Sequence, residues 1–366
     1  MTHTHRTISR LARRLARSLR PLVVLACLSG LVAHAQKSPV FYNPLLLSGA
    51  DPWVIFHDGF YYYMNTTGDN LTVWKTRDIT DLAHAEKRAV WTPPAQGPYS
   101  REIWAPELHL LDGKWYIYFA ADDGPNAHHR LYVVENDAPD PLQGKFTFKG
   151  KVADSTDKWA IDPTILDKDG AHYLIWSGWE GDTDGTQSIY IARLKNPWTI
   201  EGPRVRLSTP QYPWEKVGDF GDYGPIRPIP HVEVNEGPEI LKHGDHIFLV
   251  YSASGCWTNY YELGMLAMST SADPMNPASW TKSAKPVFWQ NPEAGAYGTG
   301  HNGFFPSPDG TQQWIIYHAN PGPNQGCGGL RSPRIQPFTW NPDGTPDFGR
   351  PVPLGKLMPK PSGTPQ

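Results

Sequence analysis

One short cassette recurs five times along this chain of 366 residues, and the recurrence limits the fold more than any other feature. Each copy has a small or acidic residue, Pro, about four mostly apolar residues, a Gly turn and an aromatic-rich strand. The copies begin at Ala50-Asp-Pro-Trp53, Ala105-Pro-Glu107, Ile161-Asp-Pro-Thr164 and Glu236-Gly-Pro-Glu239; in the fifth, His301-Asn-Gly303, Gly replaces the Pro. Seven residues separate Pro from the turn Gly in the first three copies (Pro52 to Gly59, Pro106 to Gly113, Pro163 to Gly170), and six in the fourth, Pro238 to Gly244. Such a unit reads as strand, tight turn, strand. A third apolar alternation follows each of the first four hairpins, as in Leu71-Thr-Val-Trp74 and Ser188-Ile-Tyr-Ile-Ala192, and a less regular stretch closes the unit. Five units of about four strands predict an all-β chain folded as a five-bladed β-propeller. A plain two-sheet sandwich has no reason to reuse one cassette five times.

Composition agrees. Aromatic residues make up 12% of the chain and charged residues 19%, which excludes a disordered polyampholyte. Its 37 Pro and 34 Gly exclude a helical array. A net charge of −3 offers no basic face for nucleic acid.

Residues 1–35 are expected to be a signal peptide. Six Arg and no acid precede the apolar run Pro21–Val32, and Ala33-His-Ala35 has the small-x-small pattern of a cleavage site. About 12 apolar residues are too few to span ~30 Å of hydrocarbon. Cleavage would leave one propeller domain over 36–366, secreted or periplasmic, with 27 Lys and Arg against 36 Asp and Glu. Of its two cysteines, Cys256 and Cys327, pairing is the default in an oxidising compartment, though spacing alone leaves free thiols open.

In a propeller the innermost strand of every blade lines one channel, so equivalent cassette starts converge at its mouth. The residues at or just before the Pro are Asp51, Asp162 and Glu236, with His301 at the corresponding place in the fifth copy. Ala105 fills the place in the second, with Glu107 just after its Pro. Clustered carboxylates repel one another and are costly without a use. A pair flanking a gap is the machinery of glycoside hydrolysis, and a third carboxylate can keep the acid protonated. Trp faces suit sugar rings, and Trp53, Trp104, Trp176, Trp179 and Trp257 lie near strand ends or loops.

These motifs carry a resemblance. From about Asn43 to Gly355 the chain resembles glycoside hydrolase family 43, on the strength of Ala50-Asp-Pro-Trp53, Trp104-Ala-Pro-Glu107, Ala160-Ile-Asp-Pro-Thr164, Asn235-Glu-Gly-Pro238 and Gly300-His-Asn-Gly303 in order. The resemblance implies an inverting hydrolase of arabinose- or xylose-containing plant polysaccharides. It implies Asp51 as general base, Glu236 as general acid and Asp162 as the group tuning the acid. Trp53, Trp104 and Trp176 are expected to bind substrate with Arg331, which resembles a family arginine supporting the acid and the sugar; Arg334 lies close by. His301 would stand beside a channel calcium ion, reached through water, and no organic cofactor is implied.

Ser252-Ala-Ser-Gly-Cys-Trp257, Trp176-Ser-Gly-Trp-Glu180 and Arg331-Ser-Pro-Arg-Ile-Gln336 are most similar to the exo-α-1,5-L-arabinofuranosidase branch. The expected partner is therefore arabinan or an arabinoxylan-type polymer. A β-xylosidase, an endo-arabinanase and a non-catalytic sugar-binding propeller are the alternatives. Residues 218–230 look like an insertion at the rim of the site. Other motifs fail: there is no Gly-x-Ser-x-Gly and no His-Glu-x-x-His, and Asp219-Phe-Gly221 lacks the rest of a kinase. Asn65 and Asn70 head glycosylation triplets.

Overall fold

The alternation of each aromatic strand explains how the sheets pack. In β3 (Phe60–Met64), Tyr61 and Tyr63 face one neighbouring sheet and Tyr62 and Met64 the other. In β7 (Lys114–Asp122), Trp115, Ile117 and Phe119 face back while Tyr116, Tyr118 and Ala120 face forward. A strand apolar on both faces must be covered on both, so the sheets stack face to face rather than standing alone.

The computed structural model describes residues 39–183, 185–220 and 230–365. The expected signal peptide and residues 221–229 of the 218–230 segment lie outside them. Five four-stranded antiparallel sheets follow one another along the chain. Blade 1 has β2 (Trp53–His57), β3, β4 (Leu71–Thr76) and β5 (Glu86–Trp91). Blade 2 has β6 (Arg101–Leu111), β7, β8 (Arg130–Asn136) and β9 (Thr147–Val152). Blade 3 runs from β10 (Ala160–Lys168) through β11 (Ala171–Gly178) and β12 (Ser188–Asn196) to β13 (Thr199–Ser208). Blade 4 has β14 (Asn235–His243), β15 (His246–Ala253), β16 (Glu262–Ser269) and β17 (Thr281–Lys282). Blade 5 has β18 (Tyr297–Pro306), β19 (Gln313–Asn320), β20 (Ser332–Trp340) and β21 (Pro346–Asp347).

The innermost strands β2, β6, β10, β14 and β18 touch in that order, and β18 returns to β2, which closes a five-bladed propeller. Five apolar clusters fill the five seams between blades. The ends of the domain meet where β1 (Val40–Phe41) pairs antiparallel with β22 (Met358–Pro359), and Phe41 and Met358 enter the seam between blades 5 and 1.

The first four hairpins turn in two residues, closing at His57↔Phe60, Leu111↔Lys114, Lys168↔Ala171 and His243↔His246. In the first three, Asp and Gly both have positive φ, from Asp58 and Gly59 to Asp169 and Gly170, as a type I′ turn requires. The fifth hairpin closes at Pro306↔Gln313 across a longer loop. Among the described residues no helix is long and apolar enough to cross a membrane.

Candidate active site

At one equivalent place in every blade a residue sits in the left-handed region: Asp51 (φ 57°) just before β2, and Ala105 (42°), Asp162 (55°), Gly237 (52°) and His301 (47°) within β6, β10, β14 and β18; β6 and β18 each hold a second such residue, Glu102 and Gly298. At a non-glycine residue such a conformation costs on the order of 1–3 kcal/mol and persists only where the surroundings over-determine it. In blades 2 to 5 the ladder with the second strand slips there, as between Ile161 and Thr164 and between Glu236 and Glu239. Asp51, Asp162 and His301 are therefore structural equivalents, as the repeat implies. Glu236 stands one residue earlier, at the place of Trp104, Ile161 and Gly300, because Gly237 takes the left-handed position. A Cβ on Gly237 would sit 3.2 Å from His301 Nδ1, so glycine there lets the imidazole pack close against the strand.

The interrupted strands open a pocket of about 250 Å³ at one end of the channel. Asp51, Asp162, Glu236, His301 and Arg331 all line it. Trp104 and Trp159 form one wall; Trp257 with Cys256 and Cys327 forms another, and Thr66, Ile161 and Gln187 complete it. The two cysteines are joined in a disulfide, which ties the loop after β15 to the loop after β19.

Asp51 holds three kinds of partner. Its Oδ1 accepts from Arg331 Nη1 at 3.0 Å and its Oδ2 from Thr66 Oγ1 at 2.6 Å. Its backbone N–H donates to His318 Nδ1 at 3.1 Å. His301 Nδ1 lies 3.3 Å from Oδ1. Burial by itself pushes this carboxyl up, but the Arg331 guanidinium above all, helped by the Thr66 hydrogen bond, outweighs it and holds the group well below the usual carboxylate range.

Asp162 has the opposite fate. Burial, then the negative charges of Glu236 and Asp51, push it well above an ordinary aspartate, against the pull of Gly237 N–H on its Oδ2 at 3.0 Å. Two close, buried carboxyls cannot both ionise cheaply, so the Asp162/Glu236 pair retains a proton while Asp51 stays ionised. Deeper in the channel, Glu107 accepts from or donates to His109 Nε2 across 2.8 Å, and burial followed by Glu107 raises Glu239.

The arginine forms its ion pair with Asp51, the expected base, where the resemblance led one to expect support of the acid. Arg334 is fully buried and bonded to Gly295 O and Ala319 O, away from the pocket. Trp104 lines the pocket and stacks on His129 with centroids 4.0 Å apart. Trp53 and Trp176 do not line it, which corrects their expected substrate contact. Trp53 opens β2 on the face turned to blade 2, where its Nε1 donates to Leu108 O. Trp176 lies in the seam between blades 2 and 3, 3% exposed and packed on Tyr190.

Trp159 supplies the wall they were expected to form, backed by buried Trp179 in a parallel stack at 4.5 Å. Trp257 is stacked on Phe220 and gives its Nε1 hydrogen to Gly218 O and Asp219 O, so the described start of the rim segment braces this wall. Asn65, head of a glycosylation triplet, is buried and donates to Thr66 O. Thr66, Gln187, Trp159 and His318 escaped the sequence reading because none stands in a cassette start.

The channel fits a hard cation by its donor chemistry. His301 looks across at Asp51, and its ionisation feels Glu107 as well. Asn302 is fully buried with neither side-chain atom hydrogen-bonded, a deficit of the kind water or an ion relieves. Behind Trp104, the ligand-type atoms of Glu102, Asp122 and His129 also gather within 4.8 Å of one another.

Comparison with known proteins agrees with this geometry. Residues 41–346 match the model of glycosyl hydrolases family 43. The chain is 40% identical over 344 residues to an extracellular exo-α-(1→5)-L-arabinofuranosidase of Streptomyces avermitilis, a match covering 90% of this chain and 69% of that protein. It is 36% identical over 340 residues to α-L-arabinofuranosidase 43 of Humicola insolens, covering 91% and 68%. Among solved structures, the α-L-arabinofuranosidase of Lactobacillus brevis superposes with a TM-score of 0.78 at 36% identity, over 86% of this chain and 98% of that one. A match of this extent, on a propeller whose pocket holds the expected carboxyl groups, makes the chain a member of glycosyl hydrolases family 43.

Proposed function

We propose that the protein is an exported, exo-acting α-L-arabinofuranosidase that removes terminal arabinofuranose from arabinan or from arabinose-substituted xylan, with inversion at the anomeric carbon. The observation that carries this reading is the convergence of Asp51, Asp162 and Glu236 on one small pocket, where the Arg331 guanidinium favours the charged form of Asp51 and burial beside Glu236 favours the neutral form of Asp162. Asp51 is ready to take a proton and the Asp162/Glu236 pair to give one.

In this reading a water on Asp51 loses its proton to that carboxylate and its oxygen bonds to the anomeric carbon. The glycosidic bond breaks at the same time, and its oxygen takes the proton of Glu236. Asp162 shares with Glu236 the proton that the acid gives up, and its Oδ2 accepts from the Gly237 amide that follows the acid. Arg331 and Thr66 aim the base. His301 would hold a calcium ion through water, and the ion would supply positive charge to a pocket rich in carboxyl groups. Residues 1–35 serve export.

Exo action is supported by the pocket itself. At about 250 Å³ it falls short of the usual small-molecule cleft, and the disulfide-tied loops stand on one of its sides. The arabinofuranosidase names of the more similar relatives point the same way, whereas two relatives at 25% identity are named probable arabinan endo-1,5-α-L-arabinosidases. The test is an end-product assay on linear arabinan, arabinoxylan and aryl glycosides. Arabinose alone from the first time point is expected. Mixed oligomers would make the enzyme endo-acting, xylose would make it a xylosidase, and no product would leave a sugar-binding propeller.

A further inference from the structure

Of the five equivalent left-handed residues, one per blade, four have their backbone N–H captured by a side chain of the preceding blade. Ala105 N donates to Thr66 Oγ1 at 2.8 Å, Gly237 N to Asp162 Oδ2 at 3.0 Å, and His301 N to Ser252 Oγ at 2.7 Å. Asp51 N completes the set with His318 Nδ1 at 3.1 Å, so blade 5 grips blade 1. Ser252 and His318 occupy the same slot on the second strand, each paired across the ladder with the residue just before its own blade's left-handed one, Glu236 and Gly300.

From this relay we infer that His318 is a positioning residue for the reaction: through its Nδ1 it holds the backbone of Asp51 in the left-handed conformation that presents the carboxylate to the pocket. The inference rests on the reading of Asp51 as the base. His318 is fully buried and its ring lies parallel to Tyr261, centroids 5.6 Å apart, which fixes its plane. Accepting from an amide requires the lone pair on Nδ1 and therefore the proton on Nε2. That tautomer explains why imidazole occupies the slot that serine fills in blade 4. A hydroxyl could turn and donate to Asp51 Oδ1, whereas Nδ1, 3.5 Å from that oxygen, has nothing to donate and leaves it to Arg331. Without the acceptor, Asp51 has less to keep it at φ 57°, and its carboxylate leaves the geometry that water attack needs.

The test compares His318→Leu, His318→Asn and His318→Gln on an aryl arabinofuranoside and on an arabinan oligomer. An Asn oxygen overlies Nδ1 and a Gln amide reaches toward Nε2. His318→Leu should lower kcat by about 10- to 100-fold, with KM within about threefold, as for a displaced catalytic group. His318→Asn should recover kcat to within about fivefold of the parent, and His318→Gln should not. If the Leu protein fails to fold, the Asn and Gln pair decides. Parent-like kcat in the Leu variant, or equal impairment of the Asn and Gln variants with parent-like melting, would overturn the inference. A readout free of activity is ¹⁵N NMR of the parent's histidines. His318 should be the Nε2–H tautomer, and an Nδ1–H tautomer would refute the bond whatever the substrate. A parent that releases no sugar but shows this tautomer would refute the proposed activity and leave the Asp51–His318 bond standing.

Discussion

Arg331 and Asp51 lie 280 residues apart in sequence and meet at 3.0 Å, so the last blade supplies the charge that fixes the first blade's carboxylate. The pair is enclosed: their side chains are 14% and 11% exposed. Asp51 therefore works in surroundings that would otherwise favour its neutral form, and the guanidinium is the largest of the influences keeping it charged. Neither the base nor its partner is complete until the ring of blades has closed.

Removing that charge should be visible in the pH profile. In Arg331→Ala, burial acts on Asp51 with less opposition, so its pKa rises from its depressed position. The acidic limb of kcat/KM should move to higher pH, and the protein should lose activity at mildly acidic pH first. A charged hydrogen bond of this kind contributes about 1.5–3 kcal/mol, so kcat/KM at neutral pH should fall roughly 10- to 100-fold. An acidic limb at its original pH would remove Arg331 from this role.

The two catalytic carboxyls should separate by leaving group. Glu236→Ala lacks the proton donor, and turnover of arabinan oligomers should fall by about 10²–10⁴-fold. Aryl substrates whose leaving group needs little protonation should be spared most of that loss, and substrate binding should persist. Asp51→Asn should slow every substrate alike, because each needs the same activated water. Wild-type turnover of arabinan by the Glu236 variant would end the assignment of the acid.

The contrast between these residues and those the sequence did not disclose has a physical basis. Asp51, Asp162, Glu236 and His301 stand at cassette starts, where the period of the repeat points to one end of the channel. The alternation of Tyr61, Tyr62 and Tyr63 likewise announces sheets covered on both faces. Thr66, Trp159 and His318 come from second strands and connecting loops, and meet the site only through blade-to-blade packing. Trp53 and Trp176 were misplaced for the converse reason: nearness to a strand end in sequence says nothing of which face the side chain takes, and both face a seam. The one-residue offset of Glu236 was hidden because Gly237 and Asp162 each precede a Pro.

The disulfide should stabilise the fold as well as the pocket wall. Cys256 and Cys327 are 71 residues apart, and closing a loop of that size in the unfolded chain is worth about 4 kcal/mol by the loop-entropy argument. A Cys256→Ala/Cys327→Ala protein should melt well below the parent, and a reducing agent should lower the parent's melting temperature but leave the double variant's unchanged. Coincident melting curves of parent and double variant would mean that the packing of the two loops already holds them.

Chelation tests the channel cation. If calcium sits beside His301, EDTA should lower the melting temperature, and added calcium should restore it in proportion to the logarithm of its free concentration. His301→Ala should blunt both responses. A melting temperature indifferent to EDTA and to calcium would leave His301 as a partner of Asp51 alone.

Glu262 gives a pH test of stability. Burial raises its pKa to about 7 from an unfolded value near 4.5, with no other resolved cause. Between those values the folded state holds more protons than the unfolded state, so stability falls as pH rises from about 4.5 towards 7 and then levels off. The whole change is on the order of 3 kcal/mol. Glu262→Gln keeps the shape and removes the titration, so its unfolding free energy should decline less across that window than the parent's. The two proteins should be most alike near pH 4.5, and the variant should be the more stable at pH 8. Denaturant titrations at half-unit pH steps measure both slopes, and parallel slopes would mean that Glu262 ionises in the fold as readily as outside it.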